Sequence, residues 1–345
     1  MIFMNIPLQQ TKKWQKLQND LGKNTIFIEE NDYTILAIEK QTKFGTYLYL
    51  PYGPALHPAA KSEKSGRSSK KSPKSAKNDA APTPAQLKNA AKAAYQALEK
   101  LAKQKNITFI RIEPQATETA DYWANLPNSQ KTKDLSPKET WVLDLTPDKA
   151  DILHGFSQGT RTRYNQFAKK GLSVTSTKNP AEIKHLVTLQ HKLAKIKKIG
   201  TFSEKYLRTE LEQDFATLYL VHYEDKIIAA SLFFDHDDTR FYMQSAADSD
   251  YKKLPGTVAL LTTAIFEAKE KSLKKFDFWG IAPTDASGNM PKNHPWAGFT
   301  TFKKSFGGYE VDYCGTYDLV FKPVQYQLYQ LARRGNRFLR KLTRR

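Results

Sequence analysis

One order of elements occurs twice in this 345-residue chain, and it limits the possible folds more than any other feature. In the first pass, Thr25–Glu29, Tyr33–Glu39 and Thr46–Leu50 have strand composition, the last with Tyr/Leu alternation that ends in the turn Pro51-Tyr-Gly-Pro54. An Ala/Leu/Lys-rich helix is predicted over Pro84–Lys103, and Phe109–Ile112 is then a strand ending at Glu113-Pro114. The second pass has strands at Leu218–His222, Ile227–Phe234 and Thr239–Ser245, a helix over Pro255–Lys271 and a closing strand Phe276–Trp279. Each closing strand carries a carboxylate at its end, Glu113 in one and Asp277 in the other. Two related units of α/β (α+β) class account for this order most economically. The length agrees, since one hydrophobic core stops growing before 345 residues.

The net charge of +19 is concentrated in two places. Residues 60–78 hold seven basic residues against Glu63, and residues 333–345 hold seven and no acid, which leaves +6 for the rest of the chain. Such clusters suit polyanionic partners, nucleic acid or anionic lipid, or act as solubilising tails. The segment 59–84 is rich in Ser, Lys, Ala and Pro without a large apolar residue, the composition of a disordered insertion. The last helix, Tyr326–Leu342, sets Leu328, Leu331, Phe338, Leu339 and Leu342 beside its arginines as an apolar stripe.

Between the two passes, Trp141–Leu145 reads as a strand and Thr146-Pro147-Asp148 as a helix start. Thr160–Gly171 is a basic helix closed by its glycine, bringing Arg161, Arg163, Lys169 and Lys170 near one face. Helices are also expected over 181–198 and, capped by Ser203, over 204–216. After the second closing strand come Asp277-Phe-Trp-Gly-Ile281, His294-Pro-Trp-Ala-Gly298 and Phe299-Thr-Thr-Phe-Lys-Lys-Ser-Phe-Gly-Gly308. Core packing alone does not require that density of Trp, Gly, Pro and Lys, so a binding site is expected there.

The single cysteine, Cys314, excludes a disulfide framework and fits a reducing compartment. The N-terminal residues lack the features of a signal peptide, and no apolar run approaches the roughly 20 residues of a membrane span. A cytoplasmic protein is therefore expected, with peripheral contact at the inner membrane face open to it. Walker and Rossmann fingerprints are missing, and the seven histidines lack metal-ligand spacing, so neither cofactor nor metal is expected. His236 fits a polar hairpin turn and nothing more.

The series Trp14…Gln18, Tyr49–Pro54, Arg111–Pro114, Trp141–Leu145, Thr160–Gly171, Asp277–Ile281 and Trp296–Gly308 resembles the FemABX family. These enzymes transfer amino acids from aminoacyl-tRNA to the stem peptide of peptidoglycan precursors. The resemblance implies two GNAT-like acyltransferase domains, the second inserted before a C-terminal helix that returns to the first. The expected boundaries are 1–146 plus 322–345 for the first domain and 147–321 for the second. The partners implied are an aminoacyl-tRNA and a lipid-linked or UDP-linked muropeptide, with the protein a monomer.

Carried over residue by residue, the resemblance makes Lys303 the catalytic lysine beside Phe302, where its charge meets the ester undergoing attack. Glu113 falls where a family acid approaches the reacting amine. Lys16 falls where a lysine grips the precursor phosphates, and Tyr206 and Tyr242 where tyrosines contact the precursor. Asp277 and Trp279 would wall the pocket, and Arg161, Arg163, Lys169 and Lys170 would hold tRNA phosphates. The family arginine four residues before Tyr206 is Phe202 here, so Lys197, Lys198 or Arg208 stands as its substitute. Two other functions stay open: a CoA-dependent N-acyltransferase of GNAT type, and a non-catalytic RNA- or membrane-binding protein.

Overall fold

A computed structural model describes residues 6–58, 81–197, 200–285, 289–291 and 293–342. Most of the 59–84 insertion and Lys198 lie outside these residues. The chain divides into two compact units, Met1–Ser136 with Tyr313–Arg345, and Pro137–Asp312. Both boundaries fall about ten residues before those expected. The first differs because strand Glu139–Asp144 pairs with Lys275–Gly280 and Tyr309–Asp312, in the second sheet. The second differs because strand Tyr317–Val320 pairs with Phe109–Ile112 and Ser129–Lys131, in the first.

In the first unit, Thr25–Glu29, Tyr33–Thr42 and Gly45–Leu50 form an antiparallel meander. Helix Pro84–Gln104 then crosses over, started by a capping box in which Thr83 and Gln86 satisfy each other's backbone N–H groups. Its buried stripe, Leu87, Ala90, Ala91, Ala94, Leu98 and Leu101, packs on the sheet with Ile35, Leu48 and Ile110. The chain returns as Phe109–Ile112, parallel to Gly45–Leu50 and in register from Tyr47 opposite Phe109 to Leu50 opposite Ile112. Beyond it the Glu113 N–H donates to the Gly53 carbonyl at 2.9 Å, so this parallel pair stays closed to its end. Beneath the sheet, Arg111 makes a bidentate pair with Asp318, both bonds 2.7 Å and both side chains fully buried.

The second unit repeats the order with a different ending. Strands Ala216–Tyr223, Lys226–His236 and Thr239–Ala247 form the meander, and helix Gly256–Glu270 crosses over to strand Lys275–Gly280. Helix Glu204–Leu211 stops five residues short of expectation, because the Phe215 carbonyl already accepts from the Asp235 N–H at 2.8 Å. The parallel pairing here covers Thr239–Lys275, Arg240–Phe276 and Phe241–Asp277 only. Both strands continue past that point, one to Ala247 and the other, bulged, to Gly280. The sheet therefore opens between them, at the carboxyl end of the closing strand, where open α/β sheets commonly place ligands. The first unit has the same elements but lacks this opening.

Candidate active site in the second unit

The bulge after Asp277 builds the site. Asp277 pairs with Val142 and Gly280 with Thr140, so Phe278 and Trp279 on one strand answer Trp141 alone on the other. Trp279 takes a left-handed backbone, φ 66°, a conformation that costs a bulky residue about 1 kcal/mol or more and concentrates at functional sites. In return its N–H reaches back to Asp277 Oδ1 at 2.7 Å, the oxygen that also accepts from Thr140 Oγ1. Its ring meets Phe241 edge-on, so the tryptophan stands where the two strands part.

Lys303 reaches the same place from a helix. Ala297–Lys304 is helical although Trp296 offers no side-chain cap and Gly298 and two threonines lower its propensity. Tertiary contacts hold it: Thr300 Oγ1 accepts from the Ala282 N–H at 2.8 Å, and the Ser305 carbonyl accepts from the Ser157 N–H at 2.8 Å. Lys303 Nζ donates to the Gly280 carbonyl at 2.6 Å. A Cβ on Gly280 would lie 2.6 Å from Pro137 Cγ, so only glycine lets this carbonyl sit where the lysine meets it. The two glycines after the helix are equally required. Gly307, whose carbonyl accepts from Trp141 Nε1 at 2.7 Å, and Gly308 both have positive φ, and a Cβ on them would run into the backbone of Gly155 and Val142 respectively.

Asp277 and Lys303 perturb each other in low dielectric. Burial raises the Asp277 carboxyl to about 6, with Thr140, the Trp279 N–H and the charge of Lys303 pulling the other way. Burial also lowers the Lys303 ammonium to about 8, with Asp277 opposing. At neutral pH both are mostly ionised, yet each sits close to titration, a state that clusters at functional sites. An ammonium has three N–H donors, and among the described residues the Gly280 carbonyl takes one.

A groove of about 890 Å³ runs up to Phe302, the neighbour of Lys303. Arg163, Lys170, Lys252 and Lys253 line it, together with Thr257 in the first turn of helix Gly256–Glu270. The positive helix end and four cations make the groove an anion path. The expected basic face is split here. The helix ends at Gln166, a tighter turn Ala168–Lys170 follows, and Gly171 closes it with φ 77°. Arg163 and Lys170 line the groove, whereas Arg161 donates to the His154 and Phe156 carbonyls and so caps the preceding helix. Lys169 is exposed outside the lining.

The other expected residues have different surroundings. Glu113, in the first unit, is buried and accepts from Tyr49 Oη, Thr316 Oγ1 and the N–H groups of Leu135 and Ser136. Lys16, also in the first unit, is exposed and paired with Asp20 at 2.7 Å. Tyr206 is half-buried, stacked on exposed Phe202, and its hydroxyl bonds buried Glu210. Tyr242 Oη donates to Ser245 Oγ at 2.7 Å. Lys304 stands over the Trp141 ring at 4.7 Å and pairs with Glu310. Sequence reasoning did not single out Thr140, Gly280, Lys252, Lys253 or Glu210. Glycine between an aromatic strand end and a proline-bearing loop was the one available signal, at Gly280.

Meander, crossover helix and parallel closing strand, occurring twice, define a tandem GNAT-like fold in which the second copy carries the open site. The FemAB family model matches residues 175–334, a little under half of the chain. Among solved structures the chain is similar to FemX, with a TM-score of 0.72 at 15% identity, covering 93% of this chain and 94% of that one. It is also similar to L-PGS from Bacillus licheniformis, with a TM-score of 0.54 at 13% identity, covering 96% and 99%. At such identities these likenesses concern the fold. No curated protein matches the sequence. Among the described residues no helix is long and apolar enough to cross a membrane, and no group of His, Cys, Asp and Glu could hold a metal.

Proposed function

We propose that the chain transfers an amino acid from aminoacyl-tRNA to the stem-peptide amino group of a peptidoglycan precursor, with Lys303 as its catalytic residue. One observation carries this reading: a desolvated ammonium, fixed on the Gly280 carbonyl beside buried Asp277, at the point where the parallel strands part. An aminoacyl ester is already activated, so the enzyme mainly positions the reactants and stabilises the developing charge. The acceptor amine attacks the ester carbonyl carbon and forms the C–N bond. The C–O bond to the terminal ribose breaks, and the ribose hydroxyl leaves with the proton that the amine gives up. Lys303 faces the oxyanion formed in between, and Asp277 keeps that ammonium charged. Arg163, Lys170, Lys252 and Lys253 suit the sequence-independent phosphates of the RNA end.

The test is incubation with charged tRNAs and precursor, scored as an RNase-sensitive gain in precursor mass. Absence of transfer from every common aminoacyl-tRNA overturns the proposal. A second reading draws on the same groove, since two lysines before a helix N-terminus also suit the pyrophosphate of an acyl-CoA. A CoA-dependent, RNase-insensitive product would establish it instead.

A further inference from the structure

The C-terminal helix Pro323–Leu342 has two working faces, and its own unit occupies only one. On the inner face Tyr326 is buried, its hydroxyl donates to Asp318 Oδ2 at 2.8 Å, and Gln330 Nε2 donates to that hydroxyl at 2.6 Å. Tyr329 packs on Phe109 and Tyr47, with ring centroids 5.0 and 5.8 Å away. The helix is thus tied down by aromatic and polar groups.

Its other face is aliphatic and uncovered. Val324, Leu328 and Leu331, at i, i+4 and i+7, are 67%, 45% and 61% exposed. At about 100° per residue they fall within an arc of about 60°, opposite Tyr326 and Tyr329. The sequence keeps the same interval on to Phe338 and Leu342. Arg334 flanks the stripe, about 90° from its centre, whereas Arg333 lies on the inner side within electrostatic reach of Tyr47. From Pro323 to Arg345 there is no Asp or Glu. A stripe this apolar is normally covered by something.

We infer that this face is a docking surface for an anionic lipid bilayer. RNA would satisfy the arginines but leave the aliphatic stripe in water. An apolar protein groove would cover the stripe but give no reason for seven cations and no acid over residues 333–345. A bilayer with anionic headgroups supplies both, and a helix of this pattern lies in the interface plane. The inner-face tether then leaves the stripe pointing away from its own sheet. The inference does not depend on the transferase reading, because it concerns another surface and is measured without turnover.

Co-sedimentation of the full chain tests it, using vesicles of phosphatidylcholine alone and of phosphatidylcholine mixed with phosphatidylglycerol. Partition onto the mixed vesicles should be more than about tenfold stronger and should weaken as salt is raised. Leu328→Asn with Leu331→Asn should lower it about tenfold or more, with an unchanged circular-dichroism melt. Arg334→Glu, beside the stripe, should lower it on mixed vesicles only. Three results would overturn the inference: equal partition onto both vesicle types, an Asn variant that binds like the parent, or self-association of the parent that the Asn changes abolish. The last would assign the stripe to a second copy of the chain.

Discussion

Replacing Lys303 by methionine should abolish transfer and at the same time stabilise the second unit. The ammonium falls from 10.5 to about 8 because burial removes water that the side chain does not regain from protein groups. That drop corresponds to about 3 kcal/mol of cost to the folded state, present in full below pH 8, where both states are protonated. Methionine removes the cost and fills much of the same volume. It also loses the bond to the Gly280 carbonyl, about 1 kcal/mol, and the attraction to Asp277, whose carboxyl then stays protonated further above 6. The expected net gain is about 1–2 kcal/mol at pH 7, or a melting point about 3–6 °C higher for a unit of this size. The pH profile supplies the sign. Between 8 and 10.5 the unfolded chain holds a proton that the folded chain has lost, so the parent gains stability as pH rises through that window. The Lys303→Met protein should lack that rise. Calorimetric melts from pH 7 to 10, run beside the transfer assay, measure both. A variant that melts below the parent at pH 7, or a parent with no rise above pH 8, refutes the desolvation argument. A variant that still transfers refutes the assignment of Lys303.

Gly280→Ala places a methyl against Pro137 and displaces the carbonyl that holds Lys303, so it should cost about 1–3 kcal/mol and lower kcat more than KM in steady-state kinetics. Asp318→Ala leaves Arg111 as an unpaired buried cation, and urea titration of the first unit's transition should show a loss of about 3–5 kcal/mol. Burial raises Glu210 to about 8, so it is protonated in the folded chain while the unfolded chain ionises it above 4.5. The parent should therefore lose stability as pH rises from 4.5 to 8, whereas Glu210→Gln should not, melting as if stabilised by about 2–4 kcal/mol at pH 8.5.

The repeated order of strands and helix was legible because each element carries its own local signal. Thr25–Glu29 and Phe109–Ile112 have the expected bounds, and Pro84–Gln104 differs by one residue, since alternation, capping and apolar spacing act over a few residues. Helix Ala297–Lys304 was not legible: its glycine and threonines argue against a helix, and Ala282 and Ser157, far along the chain, hold it in place. Glu210 reads as an ordinary helix glutamate until strand Thr239–Ala247 covers it with Gln244. At the site, the Phe302-Lys303 pair and the Asp277-to-Gly280 strand end were visible as residue types. Their relation was not, because it depends on a bulge and a left-handed tryptophan that composition does not encode.

The pairing of Tyr317–Val320 with Phe109–Ile112 also sets a timetable for synthesis. When Ser136 leaves the ribosome, the first sheet still lacks an interior strand, and Arg111 has yet to meet a carboxylate made 207 residues later. All of Pro137–Asp312 emerges in the interval, on the order of ten to forty seconds at typical elongation rates. The second unit can therefore reach its native state first. A chain stopped before Tyr313 would release that unit folded, tied to a first sheet with an open edge and a stranded buried cation. Termination before Tyr313 would thus endanger the unit made before the one it leaves intact.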